Sequence, residues 1–174
     1  GEWMTDRGNR SELTIATKVG FNRDDIGPSL SGATIAKEID GSLARLQTDC
    51  VDLYYAHADI RSDSLEETLG AFNDVVVQGK ARFLGCSNYL AWRIEAARCT
   101  SRSHGWAEYC CVQQRFTYVR PAPGASFAPQ VNGNDDLLDY CRENPDVRML
   151  AYSPLLNGAY TREDREIAPQ YTGA

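Results

Sequence analysis

Polar side chains suited to catalysis follow short apolar runs at five separate places in the chain. They offer an ammonium, an imidazole, hydroxyls, amides and an aromatic ring: Lys18, His57, Ser87 with Asn88, Gln113, and Tyr152 with Ser153. A lysine beside a proton-transferring group lowers the pKa of that group and polarises a substrate oxygen. Each residue alone also fits a structural role. If the apolar runs are neighbouring strands, their ends converge, and Lys18 and His57 become candidate catalytic residues.

The cysteines and histidines do not form a metal signature. Six cysteines include no C-x-x-C pair, and the two histidines, His57 and His104, lack the spacing of metal ligands. Most of the cysteines lie in or beside apolar runs or within helical patterns, where a thiol fills core space. We therefore expect no metal site, and a metal site or a redox site at the adjacent Cys110 and Cys111 is left as a minor alternative.

The apolar runs have the composition of parallel strands buried on both faces. They cover residues 13–19, 51–57, 81–86, 109–113 and 147–152. The intervening segments have helical periodicity, and their capping residues mark where helices begin and end. Ser31 is a plausible cap for the first, Ser64 and Glu67 form a capping box for the second, and Gly79 suits its left-handed end. Two further helices are predicted at residues 91–103 and 135–142.

Alternation of strands and helices predicts a parallel sheet covered by helices, either an open doubly wound sheet or a (β/α)8 barrel. No G-x-G-x-x-G follows a strand, whereas polar residues collect at the carboxyl ends of several strands. The pattern favours an α/β TIM barrel, with about five of the eight strands in this chain. We expect residues 1–174 to form one domain from the middle of a larger barrel. Residues 120–134 are predicted to cross its mouth, with Phe127 as a lining residue.

Composition limits the classes of function. The 174 residues are 43% hydrophobic and 24% charged, which is typical of a folded domain rather than a disordered chain. A net charge of -6 argues against a nucleic-acid or anionic-membrane partner. No apolar run approaches the roughly 20 residues of a membrane span. With no leader visible, we expect a soluble, cytoplasmic protein.

The order of several short motifs resembles the aldo/keto reductase superfamily. Ile15-Ala16-Thr17-Lys18-Val19 is similar to the strand with the catalytic lysine of that family, and "DCVDLYYAH", ending at His57, is similar to the segment with its catalytic histidine. "GKAR" with "GCSN" (residues 79–82 and 85–88), "VQ" at 112–113 and "AYSPL" at 151–155 match further signatures in the same order. The resemblance covers almost the whole chain.

The resemblance implies a role for each matching residue. Lys18 and His57 would be catalytic; Ser87, Asn88 and Gln113 would bind the nicotinamide carboxamide; Tyr152 would stack on the ring; Ser153 and Leu155 would lie along the pyrophosphate of NADPH. The catalytic aspartate and tyrosine of the family belong to a segment before the first strand here. None of Tyr54, Tyr55, Tyr89 and Tyr109 matches that tyrosine.

The implied activity is reduction of an aldehyde or ketone to an alcohol by hydride transfer from NADPH. The partner would be a small carbonyl compound whose identity the sequence leaves open, as it does the oligomeric state. Two alternatives remain. One is a non-catalytic aldo/keto reductase-like subunit that binds nucleotide or associates with a channel. The other is a partial barrel completed by another chain across its unpaired strand edges.

Overall fold

Five parallel strands form one sheet in the order in which they occur in the chain. A computed structural model describes residues 1–21 and 27–172. The strands are β1 (Ala16–Val19), β2 (Val51–Ala56), β3 (Ala81–Ser87), β4 (Tyr109–Arg115) and β5 (Arg148–Tyr152). Each strand pairs with the next, and the order never reverses. A doubly wound sheet reverses its strand order near the middle, so this sheet is an arc of five strands from a (β/α)8 barrel, as predicted.

Of the five described helices, the last four occur where the periodicity predicts them. The helices are α1 (Glu2–Arg7), α2 (Gly32–Leu46), α3 (Leu65–Val77), α4 (Ala91–His104) and α5 (Asp135–Glu143), with short 3-10 turns at Arg10–Glu12, Leu156–Gly158 and Pro169–Tyr171. The predicted caps at Ser31 and Ser64 are confirmed, because each side chain accepts a hydrogen bond from a backbone N–H three residues later. Gly79 has φ +73°, the left-handed conformation expected after α3.

Only half of the predicted capping box at α3 forms. The Ser64 hydroxyl accepts from the Glu67 N–H at 3.3 Å. The Glu67 carboxylate, however, accepts a 3.3 Å hydrogen bond from the N–H of Gly32, the first residue of α2. The carboxylate therefore bonds an unsatisfied amide of the neighbouring helix instead of the Ser64 amide, and links α2 to α3.

The main core lies between the sheet and its helices. Apolar side chains on the outer face of the strands pack against α2, α3 and α4, and the most buried include Ile35, Ile39, Tyr54, Phe72, Leu84, Ile94 and Val112. The other face of the sheet is the barrel lumen, with Tyr55, Gly85 and Cys111 at its middle. Phe83 and Leu150 are 60% and 43% exposed.

The first strand starts later than predicted. Residues 13–19 read as one run, but β1 begins at Ala16. The N–H of Ile15 donates to the Asp52 carboxylate at 2.8 Å, so a side chain takes the position of the strand partner there. Leu13 follows directly from the Arg10–Glu12 turn. The other strand boundaries differ from the prediction by one or two residues.

A β-bulge changes the alternation of side chains along β4. Leu84 pairs with Tyr109, but the next residue, Gly85, pairs with Cys111. Cys110 is the extra residue, and its thiol donates to the Leu84 carbonyl at 3.4 Å. Tyr109 therefore faces the helices while Cys111 faces the lumen.

The segment 120–134 crosses the carboxyl ends of the strands without forming a strand, as predicted. Its Val131 N–H donates to the Asn88 side chain at 3.1 Å, and an isolated bridge joins Asn132 to Arg115. All six cysteines are free. In the parts of the chain that the structure describes, no cluster of side chains could hold a metal ion. None of the described helices is long and apolar enough to cross a membrane.

Candidate active site at the carboxyl ends of the strands

Lys18 extends into the lumen from β1. It pairs with Tyr55 across β1 and β2, and its ammonium lies 5.6 Å from the centre of the Tyr55 ring. The side chain is half-buried, and burial lowers the pKa of its ammonium. Within residues 1–21 and 27–172, no carboxylate lies within ion-pair distance of it. A partly desolvated cation without a counter-charge attracts an electronegative atom of a ligand.

His57 lies next to Lys18 at the end of β2. Its backbone N–H donates to the Val19 carbonyl at 2.8 Å, and its carbonyl accepts from the Asn88 amide at 2.9 Å. The imidazole packs against Phe21, with ring centres 4.5 Å apart. Burial, and then the positive charge of Lys18, lower the pKa of His57. The ring is therefore neutral near pH 7 and can donate one N–H while it accepts at the other nitrogen.

Asn88 joins four parts of the mouth. Its amide nitrogen donates to the His57 carbonyl at 2.9 Å and to the Ser87 hydroxyl at 3.1 Å. Its amide oxygen accepts from the Val131 N–H at 3.1 Å and from the Tyr152 hydroxyl at 2.8 Å. The side chain thus makes all four hydrogen bonds that an asparagine amide can make. Its backbone φ is +60°, a conformation that asparagine tolerates better than most residues.

Ser87 and Gln113 lie opposite each other on β3 and β4. The Ser87 hydroxyl donates to the Gln113 carbonyl at 2.7 Å. The half-buried Gln113 side chain makes no hydrogen bond to any residue that the structure describes. The adjacent Gln114 is buried and bonded at both ends, to the Asn88 N–H and to the Tyr89 carbonyl. Of the three residues that the resemblance implies for a carboxamide, Gln113 has a side-chain amide with no partner among the described residues.

Tyr152 closes the site on the β5 side, and Arg115 packs against it. The Arg115 guanidinium lies 5.5 Å from the centre of the Tyr152 ring and 4.9 Å from that of Phe127. Arg115 is not among the site residues that the sequence predicts. Strand alternation could have indicated it, because Arg115 lies two residues beyond Gln113 and shares its face.

Ser153 lines a cleft of about 610 Å³ between the 120–134 segment and the last turns of the chain. Arg115 and Phe127 line the same cleft, and the role of Phe127 at the barrel mouth stays a prediction. Ser153 has φ +54°, so the backbone turns sharply after Tyr152. Leu155 is 67% exposed and does not line the cleft. Lys18 and His57 lie outside it as well, so the predicted residues divide between the lumen and this cleft.

None of Tyr54, Tyr55, Tyr89 and Tyr109 offers a free hydroxyl beside Lys18 and His57. Tyr54, Tyr89 and Tyr109 belong to the helix-facing core. Tyr55 faces the lumen, but its hydroxyl bonds the Cys111 thiol at 3.1 Å. Burial raises the pKa of all four phenols.

A nicotinamide fits the donors and surfaces at this rim. The Gln113 amide has both a donor and an acceptor to offer, and the half-buried Tyr152 ring provides a flat face. Ser87 and Asn88 fit less directly, because each would have to exchange a protein partner for a ligand. Lys18 and His57 lie on the adjacent strands, where a carbonyl oxygen could receive both positive charge and a hydrogen bond.

Comparison with known proteins identifies the family of the chain. The model of a family described as "Aldo/keto reductase family" matches residues 1–173. The chain is 33% identical to aldo-keto reductase yakc of Schizosaccharomyces pombe, designated NADP(+), in an alignment that covers 98% of this chain and 51% of that protein. It is 34% identical to norsolorinic acid reductase stcV of Emericella nidulans, over 67% of this chain and 32% of that protein.

A human relative and a solved structure are also named as reductases. Aflatoxin B1 aldehyde reductase member 4 of Homo sapiens is 32% identical over 88% of this chain and 44% of its own length. A crystal structure provisionally named 2,5-diketo-D-gluconic acid reductase B superposes with a TM-score of 0.70 at 25% identity, covering 90% of this chain and 48% of that chain. The chain thus spans between a third and a half of the length of these relatives.

Proposed function

Since the chain belongs to the aldo/keto reductase family, we propose that it is part of an oxidoreductase that reduces an aldehyde or ketone to an alcohol with NADPH. One observation carries the proposal. Lys18 and His57 lie at the ends of neighbouring strands and are both half-buried, and burial, followed by the nearby charge of Lys18, lowers the pKa of the imidazole. Coupled groups of this kind concentrate where a protein moves protons.

The residues at the rim would hold the reduced nicotinamide, which supplies a hydride when bound. Gln113 would bond the carboxamide, with Ser87 and Asn88 joining after they release a protein partner. Tyr152 would support one face of the ring, and Ser153 would lie beside the diphosphate in the cleft. NADPH rather than NADH is supported only by the designation of the yeast relative as NADP(+). Leu155 would reach the diphosphate only if its exposed turn closes.

Lys18 and His57 would act on the carbonyl oxygen. The neutral imidazole donates an N–H hydrogen bond that orients the carbonyl. The Lys18 ammonium, which has no carboxylate partner among the described residues, favours the negative charge that develops on the carbonyl oxygen. Lys18 would also lower the pKa of the group that delivers the proton. The family aspartate and tyrosine that the resemblance implies have no counterpart assigned in this chain, so activity belongs to the complete protein.

We also propose a small carbonyl compound as the partner. All six cysteines are unpaired, as they are in reducing compartments, which supports the cytoplasm as the location. The net charge of -6 supports the absence of a nucleic-acid partner.

The test is Lys18→Met in the complete protein. We expect turnover of a panel of aldehydes to fall by about 10²–10⁴-fold, the usual range for a group that assists proton transfer. NADPH binding, followed by its fluorescence, should persist. The matched control is Lys37→Met, which removes the same charge from an exposed position on α2 and should leave both unchanged.

Two results would redirect the assignment. Full turnover by Lys18→Met would contradict the catalytic role of the lysine. Tight NADPH binding by the unaltered protein, with no carbonyl reduction across the panel, would instead favour the non-catalytic nucleotide-binding subunit.

A further inference from the structure

The cleft beside β4 and β5 contains a guanidinium without a counter-charge. Arg115 is partly buried and lines the cleft, yet no carboxylate of the described chain lies within 4.0 Å of it. Its neighbours are the neutral Gln130 and the rings of Phe127 and Tyr152. An arginine withdrawn from water is usually paired, and cation–π contacts compensate only part of the lost hydration.

Most of the donors of Arg115 are uncommitted. Nε and one Nη2 proton donate to the same oxygen, Oε1 of Gln130, at 3.2 and 2.6 Å. A guanidinium has five N–H donors in a planar fork. The guanidinium also interacts with the Tyr152 hydroxyl, but within 3.5 Å the other three N–H groups, including both on Nη1, have no acceptor among residues 1–21 and 27–172. The two aromatic rings hold the guanidinium in place, so these donors have a fixed position.

A second unsatisfied donor belongs to a residue that lines the same cleft. Tyr171 is 7% exposed, and its hydroxyl is a buried polar atom without a hydrogen-bond partner in the described part of the chain. Its ring lies 5.4 Å from that of Phe127, which also contacts Arg115. A buried phenol without a partner loses free energy on folding unless a ligand or water supplies an acceptor. Tyr171 therefore points independently to a missing acceptor.

The charges around the cleft favour an acceptor that is an anion. Arg165 lines it together with Arg115, and the carboxylates that line it are Asp164 and Glu166. Both Asp164 oxygens bond the Arg162 guanidinium, at 2.9 and 2.6 Å, so that negative charge is neutralised locally. Ser126 and Ser153 add hydroxyls to the lining.

We propose that Arg115 and Tyr171 form a binding site for an anionic oxygen group, a phosphate or a carboxylate. A guanidinium fork matches two oxygens of either group, and the phenol donates to one of them. Two sources carry that chemistry: the diphosphate of the cofactor and a carboxylate on the substrate. The choice between the sources rests on the proposed function, whereas binding of the anion itself does not.

The first experiment measures anion binding without catalysis. Inorganic pyrophosphate is titrated calorimetrically into the complete protein and into two variants. Arg115→Met should weaken binding by about 10- to 100-fold, the usual effect of removing a charge-assisted hydrogen bond. Tyr171→Phe should weaken it by about three- to tenfold. Because the hydroxyl has no described partner, this variant keeps the fold even if Arg115→Met does not.

The matched control is Arg148→Met. Arg148 is an exposed arginine at the opposite end of β5 from Tyr152, so its loss changes the net charge equally without altering the cleft. Pyrophosphate affinity should stay within about twofold. No binding to the unaltered protein, or equal affinity for it and for both cleft variants, would overturn the proposal.

The second experiment assigns the source. Dissociation constants for NADPH are compared with the KM values for 4-carboxybenzaldehyde and benzaldehyde in the same variants. If the two cleft variants bind NADPH more weakly than the unaltered protein, the bound anion is the diphosphate of the cofactor. A higher KM for the carboxylated aldehyde alone identifies a substrate carboxylate. If pyrophosphate binding depends on Arg115 while neither constant changes, the site binds a free anion. A protein that lacks reductase activity still gives the pyrophosphate result, so failure of the proposed function is recognised separately.

Discussion

The Asn88 side chain joins the parts of the mouth, and the hydrogen bonds it makes allow the effect of its removal to be estimated. Asn88→Ala deletes four hydrogen bonds. At about 1 kcal/mol each, the loss is about 4 kcal/mol. Alanine at φ +60° adds about 1 kcal/mol, because its Cβ is crowded in the left-handed region. The free energy of unfolding should therefore fall by about 5 kcal/mol, a large share of the roughly 5–15 kcal/mol of a typical domain.

Urea unfolding of the complete protein measures this loss. Asn144→Ala is the matched control, because the Asn144 side chain makes one hydrogen bond, to the Tyr140 carbonyl, and should cost about 1 kcal/mol. Tyr152→Phe removes only the hydroxyl that donates to Asn88 and should also cost about 1 kcal/mol. In the double variant Asn88→Ala with Tyr152→Phe, the shared bond is lost once, so the two effects should fall about 1 kcal/mol short of additive.

Two results would refute the reasoning. If Asn88→Ala destabilised the protein no more than Asn144→Ala, the four bonds would not act together in solution. If the double variant were fully additive, the Tyr152 hydroxyl and the Asn88 amide would not be partners.

Two further predictions concern the lumen. Gly85→Ala should destabilise the protein by about 1–3 kcal/mol, because the added Cβ would lie 2.5 Å from the Tyr55 ring; the same change at Gly27, which has open space around it, should be nearly neutral in thermal unfolding. Lys18→Met should raise the pKa of His57 in an NMR titration, because a positive charge that opposes its protonation is lost. The pKa should stay below the ordinary histidine value, since burial remains. An unchanged pKa would show that the charge of Lys18 does not act on the imidazole.

The fold could be predicted from short-range pattern. The five strands and helices α2 to α5 follow from apolar periodicity and capping residues such as Ser64 and Gly79, because these signals act within a few residues. The first strand was placed three residues too early. Its beginning depends on the Asp52 carboxylate, which lies 37 residues from Ile15 in the chain. No local pattern indicates that contact.

The candidate site was predictable in its residue types and less so in its bonding. Lys18 and His57 are neighbours as expected, because the ends of adjacent parallel strands converge. The sequence could not predict that the Asn88 side chain makes all of its possible hydrogen bonds, since its partners Val131 and Tyr152 lie 43 and 64 residues away. Tyr171 gives no sequence signal at all, because an unsatisfied hydroxyl is a property of three-dimensional burial.

The bulge at Cys110 separates two demands on one strand. Tyr109 and Gln113 are four residues apart, so in a regular strand both side chains would project on the same side. The extra residue allows Tyr109 to fill the helix-facing core beside Phe72, while Gln113 lies level with Ser87 at the lumen. The extra residue Cys110 thus reverses the alternation of side chains between the two halves of β4. Packing in the core constrains substitutions in the first half, and ligand binding constrains substitutions in the second half, so that the two halves can vary independently.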